Sequence, residues 1–197
     1  GTDLIAELHS WDSRYPHHLF KQTVAMTLAD LGKTKEAHRI YQVIAEENPS
    51  FYEARINDAI LHYRDMQKPA VAAEMFKKIL AKDLIDRQDR YFLTRVWAHY
   101  GAALLGSGDF KSAEQAFLNA LDISKEKNEL LGFAGKEYRK IKRAKDFLKL
   151  LQKTVDRPRP NGFMYALLGE VQSEDLNLLR MQSCWNQHGV NSITGWA

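Results

Sequence analysis

Small and aromatic residues recur every three or four positions in the middle of the chain, as on one face of an α-helix. The residues of this face are Ala113, Ala116, Phe117, Ala120 and Leu121. A second helical pattern, with Trp97, Gly101 and Leu104, comes just before it, and a turn separates the two. The pattern predicts a helical hairpin in which small residues at the crossing let two helices approach closely.

The turn between these two patterns has residues suited to ending one helix and starting another. Gly108 can adopt a positive φ at low cost, which favours the end of the first helix there. Asp109 can accept a hydrogen bond from the first amides of the second helix. We therefore expect the hairpin turn to lie at Gly108 and Asp109.

The same hairpin layout occurs in three further segments, which predicts a tandem array. The first copy has Val24, Ala25, Leu28, Gly32, Ala37, Tyr41, Ile44 and Pro49 at the equivalent positions. The next copy has Ala59, Ile60, Tyr63, Ala72, Phe76 and Ile79, with its turn at Gln67, Lys68 and Pro69. A degraded copy at the end has Leu131, Ala134, Gly135, Tyr138, Ala144, Leu148 and Leu151.

The alanine near the start of each second helix gives the period of the array. It lies at Ala37, Ala72 and Ala113, in steps of 35 and 41 residues. We attribute the longer step to an inserted connection at residues 84–90. The next step, to Ala144, is only 31 residues, from which we expect a turn shortened by about three residues.

The two ends of the chain depart from this layout. Residues 1–17 have the apolar spacing of a second helix, and we interpret them as half of a repeat whose first helix is missing. The alternative is an isolated amphipathic helix. Residues 18–157 then form the array of about four repeats, and we expect residues 158–197 to form a helical cap with a loose tail.

These hairpins resemble tetratricopeptide repeats, which are helix-turn-helix units of about 34 residues marked by Trp-x2-Leu-Gly-x2-Tyr and then Ala, Phe and Pro. The best copy has Trp97, Gly101, Gly108, Ala113, Phe117 and Ala120 at the marked positions. The resemblance covers residues 18–157. It implies an all-α fold, a right-handed α-solenoid of helix-turn-helix repeats, the fourth of which is degenerate.

The resemblance also implies a concave groove lined by the first helix of each repeat, which in this family commonly binds a peptide or a helix. The expected groove residues are Gln22, Met26, Asp30, Asn57, Leu61, Arg64, Arg95, Ala98, Ala102, Leu105, Lys136 and Arg139. A partner with an apolar centre and an acidic end would complement this set. The alternative is that these are ordinary solvated positions. Gln22 and Met26 replace the lysine and asparagine with which some members grip a chaperone tail, so we do not expect that clamp.

The net charge of +3 is unevenly distributed. Residues 125–159 carry twelve Lys and Arg against five Asp and Glu, so this segment is strongly basic. The lysines Lys142, Lys145, Lys149 and Lys153 lie opposite an expected packing stripe of Ile141, Ala144, Leu148, Leu151 and Val155. Two interpretations remain: a solvated outer face, or a docking patch for an anionic partner. Nucleic acid is not expected, because aromatic residues are not interleaved with the basic ones.

Catalytic and ligand-binding motifs are not found in the sequence. It has no phosphate-binding loop, dinucleotide fingerprint or zinc-peptidase helix motif. The single cysteine, Cys184, excludes an intramolecular disulfide, and Cys184 with His188 would need further ligands or an orienting group to bind a metal or act as a nucleophile. Adjacent His17 and His18 are expected to lie in a surface turn. We therefore expect no cofactor, no metal site and no enzymatic activity.

These observations predict a protein–protein interaction module, an adaptor or scaffold that holds a partner segment in its groove. Two alternatives remain: an accessory domain of a larger enzyme or of a secretion or envelope assembly, and an enzyme in its own right. No apolar run approaches the about 18 residues that a membrane span needs. A soluble protein is expected, with the cytoplasm favoured over the periplasm. The sequence leaves the oligomeric state open.

Overall fold

The computed structural model describes residues 17–81, 89–155 and 162–173, which contain nine α-helices and no strand. In chain order these are α1 (His18–Asp30), α2 (Thr34–Glu47), α3 (Tyr52–Arg64), α4 (Pro69–Ala81), α5 (Arg90–Ser107), α6 (Phe110–Ile123), α7 (Lys127–Lys140), α8 (Ala144–Val155) and α9 (Gly162–Ser173). The predictions for residues 1–16, for most of the insertion and for residues 174–197 lie outside the described residues. None of the nine helices is both long enough and apolar enough to span a bilayer.

The chain divides into two compact units, Gly1–Ala116 and Phe117–Ala197. In the first unit, α1 packs on α2, α2 on α3, α3 on α4 and α4 on α5. The alternate helices also meet, because α1 contacts α3 and α3 contacts α5. In the second unit, α8 packs against both α7 and α9. We call α1, α3, α5 and α7 the first helices and α2, α4, α6 and α8 the second helices.

The alanines that mark the repeat are buried at the helix crossings. Ala37, Ala72 and Ala113 are all 0% exposed, as the predicted close approach of paired helices requires. Around Ala37, one apolar cluster joins the first three helices, formed by Val24, Ala25, Leu28, Ala29, Ala37, Tyr41, Ile44, Ala54 and Leu61. The all-α helix-turn-helix arrangement predicted from the sequence is therefore confirmed for the described residues.

The turn at Gly108 and Asp109 also has the predicted chemistry. Gly108 has a φ of +89°, a left-handed conformation that glycine adopts without a steric penalty. The Gly108 N–H donates to the Leu105 carbonyl, and the Asp109 N–H donates to the Leu104 carbonyl at 3.0 Å. The Ser112 N–H in turn donates to the Asp109 carboxylate at 3.1 Å, so Asp109 caps α6. The side-chain hydrogen bond with Ser112, followed by this backbone bond, lowers the pKa of Asp109.

The second copy of the hairpin has a different register from the one predicted. Asp58, Ala59 and His62 are buried in α3, whereas Ile60 and Tyr63 are only half-buried. The packing positions therefore lie one residue earlier, and Ala59 follows Ala25 by 34 residues. The prediction was wrong because it sought apolar residues at every packing position, and α3 has polar side chains at two of them.

The last hairpin has a similar correction. Ala144 is half-buried, whereas Phe147 is 1% exposed and takes the position that alanine has in the other repeats. Phe147 follows Ala113 by 34 residues, so the predicted shortening of the turn is wrong. A Cβ at Gly135 would lie 3.0 Å from the Phe147 ring, so the glycine in α7 makes room for the larger side chain in α8.

The buried stripe of α8 shifts accordingly. It consists of Phe147, Leu150, Leu151 and Thr154, instead of the predicted stripe through Ala144, Leu148 and Val155. Thr154 is accommodated because its hydroxyl donates to the Leu150 carbonyl at 2.7 Å. The four predicted lysines of this segment are exposed, as expected.

Candidate functional site: the face of the first helices

Side chains of the three first helices in the first unit meet one another across the helix boundaries. Since α1 contacts α3 and α3 contacts α5, these helices form one continuous wall. We call its side-chain surface the first-helix face. Its residues are Leu19, Gln22, Met26 and Asp30 on α1, Glu53, Asn57 and Arg64 on α3, and Tyr91 and Arg95 on α5.

Arg95 on α5 forms hydrogen bonds with α3 on this face. Its guanidinium donates to the carboxylate of Glu53 and, at 2.5 Å, to the side-chain oxygen of Asn57. The Arg95 and Glu53 side chains are both half-buried, with 26% and 33% of their surface exposed. A guanidinium held by two acceptors on the neighbouring helix fixes the spacing of the wall.

Arg64, at the end of α3, has acidic neighbours as well. Its guanidinium donates to the carboxylate of Asp65 at 2.9 Å and lies 4.0 Å from the carboxylate of Asp30 on α1. Half of its side-chain surface is exposed. Two of the three arginines predicted for the groove, Arg64 and Arg95, are therefore on one face, and each already meets a carboxylate of its own chain.

Exposed apolar side chains flank these polar groups. Met26 is 48% exposed, and so are Leu19 at 52% and Tyr91 at 73%. Leu19 lies two helical turns before Met26, and Tyr91 lies one turn before Arg95, so they share the faces of those residues. The sequence prediction included Met26 but missed Leu19 and Tyr91, although this helical spacing was the signal that could have found them.

Gln22 lies between Leu19 and Met26 and is half-buried. Its side-chain oxygen is buried and has no hydrogen-bond partner among the described residues. A buried acceptor without a donor costs free energy in the folded state. Gln22 is therefore a point on the first-helix face where a hydrogen-bond donor would be stabilising.

Tyr63 and His99 form a second polar link between α3 and α5. The Tyr63 hydroxyl and the His99 Nδ1 are 2.8 Å apart. Desolvation of the ring by burial, followed by the positive charges of Arg95 and Arg64, lowers the pKa of His99 to about 3. The ring is therefore neutral at physiological pH, and its Nδ1 can accept the Tyr63 hydrogen.

Several predicted groove residues do not belong to this exposed face. Leu61 is 2% exposed and packs in the apolar cluster of the first three helices, because the register of α3 differs by one residue. Ala98 and Ala102 are 6% and 3% exposed, so their methyl groups are buried. Leu105, at 3%, is also buried.

The remaining two predicted groove residues lie in the second unit. Lys136 and Arg139 are both exposed on α7. In α8 of the same unit, the carboxylate of Asp146 pairs with Arg143 at 2.5 Å and with Lys149 at 3.2 Å. Part of the positive charge of the basic segment is thus balanced within the segment itself.

Of the two residue pairs considered from the sequence as metal ligands, only His17 and His18 lie among the described residues. The rings of His17 and His18 stack with their centroids 4.4 Å apart. The His17 Nδ1 accepts from the Leu19 N–H at 3.3 Å, so this histidine caps the start of α1. Cys184 and His188 lie outside the described residues.

A third group of polar side chains, which the sequence prediction missed, lies between α2 and α3. His38 on α2 and Asp58 on α3 are 2.6 Å apart, and His62 lies one turn after Asp58. Burial raises the pKa of the Asp58 carboxyl, and the hydrogen bond and charge of His38 oppose that shift. The pKa of the neighbouring Tyr41 is raised by its own burial and then by the Asp58 charge.

No protein-family model matches this chain, and no curated protein sequence matches it either. Solved structures do match. A tetratricopeptide repeat protein from Parabacteroides merdae is 17% identical, with a TM-score of 0.60, over 93% of this chain and 69% of its own. The pilF protein of Pseudomonas aeruginosa is 18% identical, with a TM-score of 0.55, over 86% of this chain and 73% of its own. YrrB, described as a TPR protein with an unusual peptide-binding site, is 12% identical, with a TM-score of 0.54, over 91% of this chain and 89% of its own.

These low identities make the likeness one of fold. It agrees with the buried small residues at the helix crossings and with the 34-residue spacing of Ala25 and Ala59, and of Gly101 and Gly135. The chain therefore has the fold of the tetratricopeptide repeat proteins.

Proposed function

We propose that this protein is an interaction module that binds a segment of a partner protein on the first-helix face. The observation that carries the proposal is the combination of Leu19, Met26 and Tyr91, all strongly exposed, with the polar groups between them. Exposed apolar side chains next to fixed polar groups are typical of protein-binding surfaces. The fold supports the proposal, because helical-repeat proteins commonly use such surfaces to bind peptides.

The chemistry of the face favours a partner segment with apolar side chains. Arg64 and Arg95 already meet carboxylates of their own chain, so the face does not require an acidic partner. Apolar contacts would therefore provide most of the affinity, and Gln22 could accept a hydrogen bond from the partner backbone after a small side-chain movement. The acidic end expected from the sequence remains a proposal for the exposed Lys136 and Arg139 of the second unit.

A random peptide library displayed on phage tests the proposal, because it requires no knowledge of the partner. Peptides selected on the wild-type protein should be rich in apolar residues and bind with micromolar affinity. Met26→Asp and Tyr91→Ala should each weaken the selected peptides about tenfold or more, which corresponds to about 1.4 kcal/mol.

Matched controls come from exposed valines on the second helices. Val43 and Val71 are 41% and 47% exposed, close to the exposure of Met26. Val43→Asp and Val71→Asp should leave the affinity of the same peptides unchanged. Selection of no peptide, or a loss of affinity in the valine variants with none in Met26→Asp, would contradict the proposal.

A further inference from the structure

We propose that His38, Asp58 and His62 form a binding site for one divalent transition-metal ion of the zinc type. The three side chains come from two helices, α2 and α3, and they offer one ligand atom each within 4.8 Å of one another. Two imidazoles and one carboxylate are a donor set that zinc and its neighbours prefer, whereas Mg²⁺ and Ca²⁺ prefer oxygen ligands alone. This inference does not depend on the proposed binding of a partner.

Hydrogen bonds already orient both imidazole rings. The His62 Nδ1 lies 2.8 Å from the Asp58 main-chain carbonyl, which can only accept, so Nδ1 carries the hydrogen. The Nε2 of a neutral His62 ring therefore keeps its lone pair. A bond from the second ring nitrogen to a carbonyl is the support that metal-binding histidines usually have.

The Asp58 carboxylate links the two histidines. Its Oδ1 lies 2.6 Å from His38 Nδ1, the two rings are edge to face with their centroids 4.9 Å apart, and one ligand atom of each side chain lies within 4.8 Å of the others. Ligand atoms about 2.0–2.2 Å from a tetrahedral zinc lie about 3.4 Å from one another. Side-chain movements of about 1 Å would therefore convert this arrangement into a coordination shell.

The burial of Asp58 and His62 favours binding of a cation, and the partial exposure of His38 lets an ion reach the site from solvent. Asp58 and His62 each have only 8% of their side-chain surface exposed, and a buried carboxylate is costly unless a positive charge compensates it. The His38 side chain is 25% exposed, so the site opens to solvent on that side. A water molecule at this opening would complete a four-coordinate ion.

Calorimetric titration with Zn²⁺, after dialysis against a chelator, measures the site directly. We expect one equivalent to bind with micromolar or tighter affinity, and Mg²⁺ to produce no heat of binding. Co²⁺ should give the visible absorption bands of a four-coordinate ion. His38→Ala and His62→Ala should each weaken Zn²⁺ binding about tenfold or more.

The double variant His17→Ala/His18→Ala is the control, because these histidines are paired at the surface of the same unit. It should bind Zn²⁺ as the wild-type protein does. If the His62 variant does not fold, the more exposed His38→Ala and the Co²⁺ spectrum of the wild-type protein decide the outcome. The absence of Zn²⁺ binding and Co²⁺ bands in the wild-type protein would overturn the proposal, and so would unchanged affinity in His38→Ala.

Discussion

Gly106 and Pro69 approach so closely that a Cβ on Gly106 would lie 2.8 Å from the Cβ of Pro69. Gly106 lies near the end of α5, and Pro69 is the first residue of α4. A proline ring at a helix start has little freedom to move aside, so the contact has room for glycine alone. The close approach of these two helices therefore depends on an absent side chain.

Gly106→Ala should destabilise the protein by about 1–3 kcal/mol through overpacking against Pro69, although alanine favours helix more than glycine does. Gly132→Ala is the matched control, because a Cβ at that helical glycine would meet nothing within 4 Å. We expect Gly132→Ala to stabilise the protein by up to about 1 kcal/mol. Urea unfolding of both variants measures the difference, and equal effects would contradict the prediction.

Two adjacent residues of α4 test the packing at the crossings. Ala72 is 0% exposed, whereas Val71 is 47% exposed. Ala72→Leu should lower the free energy of unfolding by about 1–3 kcal/mol, because the added atoms have no space between the paired helices. Val71→Leu should change it by less than about 0.5 kcal/mol. Thermal unfolding of the two variants in parallel provides the comparison, and a stable Ala72→Leu would show that the crossing is loosely packed.

The pair formed by Glu53 and Arg95 should couple α3 to α5. In a double-mutant cycle with Glu53→Gln and Arg95→Met, we expect a coupling energy of about 1 kcal/mol, because both side chains are half-buried and hydrogen-bonded. Urea unfolding of the four proteins measures it. Strictly additive effects of the two substitutions would mean that the pair does not stabilise the packing of these helices.

His99 should make stability depend on pH in a defined direction. Its pKa falls from 6.5 to about 3 on folding, so between these values the unfolded chain binds a proton that the native state does not. The free energy of unfolding should therefore be fully retained above pH 6.5 and decrease as the pH falls towards 3. The slope from this one group is at most about 1.4 kcal/mol per pH unit.

His99→Gln isolates this contribution, since glutamine retains a hydrogen-bond acceptor for Tyr63 but does not titrate. Chemical unfolding at a series of pH values should give a shallower acid limb for the variant than for the wild-type protein. The other titrating groups are common to both proteins and cancel in the comparison. Parallel curves would show that the histidine keeps its ordinary pKa in the native state.

The helical hairpins, their turns and their small crossing residues could be predicted from the sequence because each depends on residues close along the chain. Helical periodicity identifies the buried face, and Gly108 with Asp109 identifies the turn. Both are confirmed, with a φ of +89° at Gly108 and full burial of Ala113. Local patterns of this kind predict elements and their pairing well.

Two polar side chains and one oversized side chain at packing positions kept the rest of the packing from being predicted. Asp58 and His62 fill buried positions through hydrogen bonds and not through apolar character, so an apolar template moves the register of α3 by one residue. Phe147 fills an alanine position because Gly135 opposite it has no side chain. The 34-residue spacing of Ala25 and Ala59 was the signal that would have corrected the predicted register of α3.

The contacts of the first-helix face could not be predicted, since they join residues far apart in the chain. Arg95 meets Glu53 across 42 residues, and Arg64 approaches Asp30 across the α1–α3 boundary. Sequence spacing grouped both arginines among the expected groove residues. It could not show that each would already be neutralised by a carboxylate of the same wall.

That internal neutralisation has a kinetic consequence. With the guanidinium groups of Arg64 and Arg95 matched by nearby carboxylates, the wall projects only a weak field into solution. A partner segment would not be steered to the wall by long-range electrostatic attraction. Its association rate constant should stay at about 10⁵–10⁶ M⁻¹s⁻¹, as for association without electrostatic steering. Dilute and concentrated electrolyte should give nearly the same rate, since there is little attraction for mobile ions to screen.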